Sequence, residues 1–134
     1  MTQIVSKDGF VADQFADLER LAPEDYRPGA ALALGPTADP EALAEQLSSA
    51  PLVEITVGGF GDGREFSIGA LLRRQGYRGH LRACGPLLVD QFRALIRCGF
   101  DDIALPDEMA ARQPEAQWRA VPFETGYRAR LLNA

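Results

Sequence analysis

The sequence predicts an α/β fold: repeated βα units forming a four- or five-stranded, mainly parallel sheet. Two observations carry this expectation. Between about residues 52 and 105, aliphatic runs of strand length alternate with segments that are apolar at helical spacing. The junctions between them carry glycine and proline where helices start and stop. Strands alternating with helices imply parallel pairing through right-handed crossovers. Either a flavodoxin-like open sheet or half of a TIM-type (β/α)₈ barrel satisfies the pattern. The chain of 134 residues reads as a single domain, with an N-terminal extension over 1–28, a βα core over 29–107 and a C-terminal segment over 108–134.

The elements follow in order. Phe10–Leu21 reads as a short helix or an edge strand, broken by Pro23 and Pro28. Ala30–Leu34 is a short buried strand ended by Gly35-Pro36. Asp39 caps a helix with Pro40 at its first position and Leu43 and Leu47 on its apolar stripe. Leu52–Val57 is the strongest strand, β-branched and alternating. Ser67 is placed to cap the next helix, which carries Ile68, Leu71 and Leu72 and ends at Gly76 as a left-handed C′ residue. His80–Cys84 is a strand, and Gly85-Pro86 opens a helix bearing Leu88, Phe92, Leu95 and Ile96, stopped by Gly99. Asp102–Leu105 is a strand ended by Pro106. Two helices thus end in Gly-aromatic, at Gly76-Tyr77 and Gly99-Phe100. The tail with Trp118, Phe123 and Tyr127 has no clear period.

Alternation along the strands divides the sheet into unlike faces. Leu32, Leu34, Val53, Ile55, Val57, Leu81, Ala83, Ile103 and Leu105 form an apolar set that should meet the helices. The opposite set, Ala31, Ala33, Glu54, Thr56, Arg82, Cys84, Asp102 and Ala104, is small, polar or charged. A doubly wound sheet is buried on both sides and reads as apolar on both. The polar face is therefore a barrel-like interior or cleft, an interface with another subunit, or a solvated surface. Glu54 and Arg82, on adjacent strands, are candidates for a buried pair that orders the sheet with little net stabilisation.

A net charge of −5 disfavours nucleic acid or an anionic membrane as the main partner. The longest apolar run is far below the roughly 20 residues of a membrane span, and the first residues carry no apolar signal core, so a cytoplasmic location is expected. Cys84 and Cys98 lie 14 residues apart without a second ligand pair, which is neither a zinc signature nor a disulfide framework. No metal site is expected, and with no dinucleotide, flavin or iron–sulfur signature no cofactor is either.

The segment with most chemical potential is Gly58-Gly-Phe-Gly-Asp-Gly-Arg64. Glycines at a strand's carboxyl end before a helix expose backbone N–H groups to an anion. Asp62, Gly63 and Arg64 are thus candidate anion or ligand-binding residues, with Arg82 and Cys84 beside them at the next strand end. An ordinary glycine-rich turn and an inert core thiol explain the same residues. Arg73, Arg74 and Arg78, followed by Arg82, crowd ten residues of an acidic chain and suit docking to an acidic partner; helix-end cations are the plain alternative for the first two. Catalytic residues are not assigned.

Asp62-Gly-Arg-Glu-Phe-Ser67, Leu72-Arg73, Gly76-Tyr77, Gly79, Leu81-Arg-Ala83, Gly85, Asp90-Gln91 and Arg97-Cys-Gly-Phe100 together resemble the DUF934 family over roughly residues 50 to 107. That is a bacterial family of uncharacterised proteins, often labelled as oxidoreductases associated with sulfite reduction. Glu65 departs from the small residue usual after the arginine of its DGR motif, and a carboxylate there opposes an anion at Arg64. The resemblance implies a cytoplasmic accessory or interaction protein in assimilatory sulfite reduction and sulfur metabolism, with sulfite reductase or its electron donor as partner and a homodimer as a further possibility. The alternative is a small anionic-metabolite-binding protein or enzyme with its site at the strand carboxyl ends.

Overall fold

The computed structural model describes residues 2–35, 38–56, 64–87, 89–113 and 115. Its centre is a seven-stranded sheet: β1 (Thr2–Ser6), β2 (Gly9–Val11), β3 (Arg20–Leu21), β4 (Ala31–Leu34), β5 (Leu52–Thr56), β6 (His80–Cys84) and β7 (Asp102–Pro106). The spatial order is β2-β1-β7-β6-β5-β4-β3. β3 to β7 are mutually parallel, as the βα rhythm requires, and β1 and β2 continue the sheet antiparallel beyond β7. Five strands are parallel and the hairpin raises the total to seven, so the sheet is mainly parallel as expected but larger than the four or five strands expected. Its turn is Lys7-Asp8, with Gly9 at φ +106° and the Asp8 N–H donating to Ser6 Oγ at 3.1 Å.

Strands β3 to β7 are laid down side by side with no reversal of order, unlike a flavodoxin-like sheet. Successive right-handed crossovers in one direction place every helix on the same face. The core shows this arrangement. Leu32, Leu34, Val53, Ile55, Leu81, Ala83, Ile103 and Leu105 pack with Leu43, Leu47, Ile68, Leu72, Phe92, Leu95 and Ile96. Those helical residues come from a 3₁₀ turn Pro40–Leu43 running into α1 (Ala44–Leu47), α2 (Arg64–Arg74) and α3 (Val89–Arg97). α4 (Asp107–Arg112) follows β7 directly. Among the described residues, no helix is long and apolar enough to cross a membrane.

Local chemistry sets the boundaries. Asp39 caps the first helical segment, accepting from the Glu41 N–H at 3.1 Å, with Pro40 behind it. α2 opens at Arg64 rather than behind Ser67, which is an exposed residue inside the helix. Arg64 and Glu65 are better helix formers than capping residues, so the helix extends through them. α2 and α3 end in the same Schellman cap. Gly76 and Gly99 have φ of +99° and +101°, and each N–H bonds back three residues, to Arg73 and Ile96. The following aromatics reach back five, Tyr77 to Leu72 and Phe100 to Leu95. Both aromatic rings then enter the core.

The N-terminal segment departs from the expected helix or edge strand. Phe10 and Val11 pair with β1, Arg20 and Leu21 pair with β4 at the far edge, and residues 12–19 cross the face that is helix-free among the described residues. Nine residue steps reach at most about 32 Å, and six strand spacings of a flat sheet cover about 29 Å. The crossing is not extended, because Ala16 bonds back to Asp13 and Leu18 to Phe15 in successive turns. The sheet therefore curls toward this strap.

Candidate functional site

Register places Glu54, Arg82 and Asp102 in one row across β5, β6 and β7. All three point away from the helices, since they alternate with the core residues on either side. Arg82 is 1% exposed. Its Nε donates to Asp102 Oδ1 at 2.8 Å and its Nη2 to Asp102 Oδ2 at 3.2 Å, a two-pronged pair. Its Nη1 donates to Glu54 Oε2 at 3.3 Å and to Asp13 Oδ1, from the strap, at 3.1 Å. Burial pulls the guanidinium pKa down, but the Asp102 hydrogen bonds and charge, with Asp13, raise it overall.

Arg20, at the start of β3, closes the network. Its Nε and Nη2 reach Glu54 at 3.2 and 3.3 Å, Nη2 also reaches Asp13 at 3.3 Å, and Nη1 donates to the Phe15 and Leu18 carbonyls at 2.6 and 2.7 Å. His80 Nε2 meets Asp102 Oδ2 at 2.8 Å. The Phe15 ring lies 4.9 Å from the His80 ring and 5.6 Å from the Arg82 guanidinium carbon. Partial burial pushes the Asp13 carboxyl up, yet the Phe15 N–H and the Arg82 and Arg20 charges hold it below its ordinary value.

Beside this network is a cleft of about 340 Å³ between the strap and β1, β5, β6 and β7, lined by Thr2, Ile4, Asp13, Ala16, Arg20, Glu54, Arg82, Cys84 and Ala104. Its size falls within the range of small-ligand sites. The Cys84 thiol is pushed up to about 12, chiefly by burial and then by the Glu54 charge. Held in its neutral form, it is a weak hydrogen-bond donor and a poor nucleophile while the site stays closed. Among the described residues, no group of three or more His, Cys, Asp or Glu is placed to hold a metal ion.

Of the residues singled out from sequence, Arg82 and Cys84 both line this cleft, with Arg82 engaged by three carboxylates. Asp62 and Gly63 lie outside the described residues, and Arg64 is the first residue of α2. The four arginines do not share a surface. Arg73 staples the ends of α2 and α3: its Nε donates to Gly99 O at 2.8 Å, Nη1 to the Tyr77 and Gly79 carbonyls at 3.0 and 2.8 Å, and Nη2 to Asp101 at 2.8 Å. Arg74 and Arg78 are exposed near the amino end of β6, and Arg97 is exposed at the end of α3. Arg82 is on the opposite face of the sheet.

The Glu54–Arg82 pair is present as expected, but Asp102 is the closer partner. Sequence reasoning missed the strap and, with it, Asp13, Phe15 and Arg20. Asp13 and Arg82 are 69 residues apart and share no motif. The signal available was Asp8-Gly9 between alternating apolar residues, a hairpin mark that would have drawn the N-terminus into the sheet.

A family model described as "Bacterial protein of unknown function (DUF934)" matches residues 31–133. Neither the curated proteins nor the solved structures contain a match.

Proposed function

This chain belongs to the DUF934 family, and on that premise we propose that it is an accessory protein of assimilatory sulfite reduction that docks an acidic partner, sulfite reductase or its electron donor, in the cytoplasm. The observation that carries this reading is a basic end on an acidic chain. Arg74, Arg78 and Arg97 are exposed where α2 and α3 finish and β6 begins, while the net charge is −5. Such a patch steers an acidic surface into one orientation. It is at the opposite end of the βα units from the cleft. The cleft itself favours a non-catalytic role, because its thiol is protonated and its arginines are bound to carboxylates.

The test is binding of the purified chain to sulfite reductase and to its electron donor, at low and at high ionic strength. Binding at low salt that fades with salt supports the reading; no binding to either at low salt overturns it. Light scattering on the same samples reads out self-association.

The second reading, an anionic metabolite held at Asp62, Gly63 and Arg64, is supported by Arg64 lying on α2 and by the glycine-rich sequence between β5 and that helix. Thermal stabilisation by sulfite, sulfate or phosphate that disappears in Arg64→Ala would favour it over docking.

A further inference from the structure

The strap has a property that neither reading above requires. We infer that residues 12–19 are a latch that opens as a local unit and controls entry to the cleft on the helix-free face.

Three observations support this. The strap belongs to no strand ladder: its internal backbone bonds are the turn contacts Ala16 to Asp13 and Leu18 to Phe15. Ala12, Gln14, Ala16, Asp17 and Glu19 are exposed, and Asp13, Phe15 and Leu18 are only half-buried. Segments held this way open at low free-energy cost compared with core strands.

The second observation is where the hold comes from. Asp13 grips both arginines, Arg82 at 3.1 Å and Arg20 at 3.3 Å. Phe15 lies over Arg82 and against His80. Arg20 holds the Phe15 and Leu18 carbonyls from the hinge at β3. These are side-chain contacts of a few residues, and they can be released together.

The third is the charge left behind. With the strap in place, the carboxylates of Asp13, Glu54 and Asp102 face the guanidiniums of Arg20 and Arg82. When Asp13 leaves, Glu54 and Asp102 remain with the two arginines, a balanced set in which each arginine keeps a carboxylate on the sheet. Opening therefore creates no unpaired buried charge, the usual penalty for breaking such a network. Removal of Arg82 would create one, at the buried Asp102. The strap can therefore detach without that penalty.

The two cysteines provide the test. Cys84 lines the cleft under the strap, and Cys98 is on the helical side, at the end of α3. Reaction of the full chain with an aromatic disulfide reagent is followed separately at each thiol. Asp13→Asn keeps the side-chain shape and removes the charge that holds the latch. The expected result is at least a tenfold faster reaction at Cys84 with Cys98 unchanged. Equal acceleration at both thiols, or none at Cys84, overturns the inference. Native-state hydrogen exchange of the unmodified chain is the second measurement. The Phe15 and Leu18 amides should exchange faster than those of β6 and β7 by at least a hundredfold. Exchange at the same rate as those strands would mean that the strap opens only on global unfolding, and would overturn the inference as well.

Discussion

Arg82 and Asp102 face each other in register on β6 and β7, joined by hydrogen bonds of 2.8 and 3.2 Å on the side of the sheet away from α1, α2 and α3. The guanidinium is fully buried, and two further carboxylates use its remaining reach. Arg82→Met should therefore destabilise the chain by about 3–5 kcal/mol, because it leaves the buried Asp102 carboxylate without its guanidinium. Arg82→Lys should recover only part of that, since an ammonium cannot bridge both Asp102 oxygens while reaching Glu54 and Asp13. Urea midpoints of the two variants, compared with the parent chain, decide it.

Asp13 makes the same network sensitive to acid. Its carboxyl is held below the ordinary value of 3.8 in the folded chain. A depressed carboxyl contributes stability above its unfolded value and loses it as pH falls through the folded one. The stability difference between the parent chain and Asp13→Asn should accordingly be full near neutral pH and shrink below about pH 4. Denaturation midpoints across an acid series measure it.

Gly69 is a contact site, not a hinge. A Cβ there would lie 2.3 Å from Cε2 of Phe100, whose ring is buried in the core. Gly69→Ala should cost about 1–3 kcal/mol through overpacking. Phe100→Leu in the same chain should recover part of that loss. A double-mutant cycle on thermal unfolding reads the coupling.

The paired caps make a graded prediction. Gly76 and Gly99 share a left-handed φ, but a Cβ at Gly76 meets open space, whereas one at Gly99 lies 2.5 Å from Cγ of Arg73. Gly76→Ala should cost about 1–2 kcal/mol from backbone strain alone. Gly99→Ala should cost more, because it also displaces the Arg73 staple.

Stability and docking should separate cleanly among the arginines. Arg73→Ala removes hydrogen bonds to three backbone carbonyls and should lower the melting temperature. The double variant Arg74→Glu with Arg78→Glu should leave melting unchanged and weaken partner binding by about tenfold or more, roughly 1.4 kcal/mol. Calorimetry and binding at low ionic strength test both sides.

The βα core was legible because its signals are local. Leu52–Thr56 announces itself by β-branching, and Gly76 and Gly99 by their place between a helical stripe and an aromatic. The unlike faces of the sheet were also legible, and they foretold the one-sided helix layer that the strand order produces. What covers the polar face was not. Cleft, partner and solvent were the alternatives, and the chain's own strap covers part of it. Asp13 meets Arg82 only through the closure of a long loop, and no periodicity records that. Arg82 parts from the other three arginines for the same kind of reason. Adjacency in sequence put Arg73 and Arg82 together, but the turn at Gly76 and the pleat of β6 send them to opposite sides.

The hairpin at the amino end imposes an order of assembly. β1 precedes β3 to β7 along the chain, yet its neighbour in the parallel core is β7, with Ser6 opposite Asp102 and Thr2 opposite Pro106. Until β7 emerges from the ribosome, β1 and β2 have only each other, and an isolated hairpin is marginal in water. The strap, whose far anchors include Arg82 and His80, must wait as well. Contacts of such sequence separation slow folding. The hairpin and strap are thus made before the strands that anchor them, and until they are fastened the edge that receives β1 and the charged face of the sheet stay uncovered.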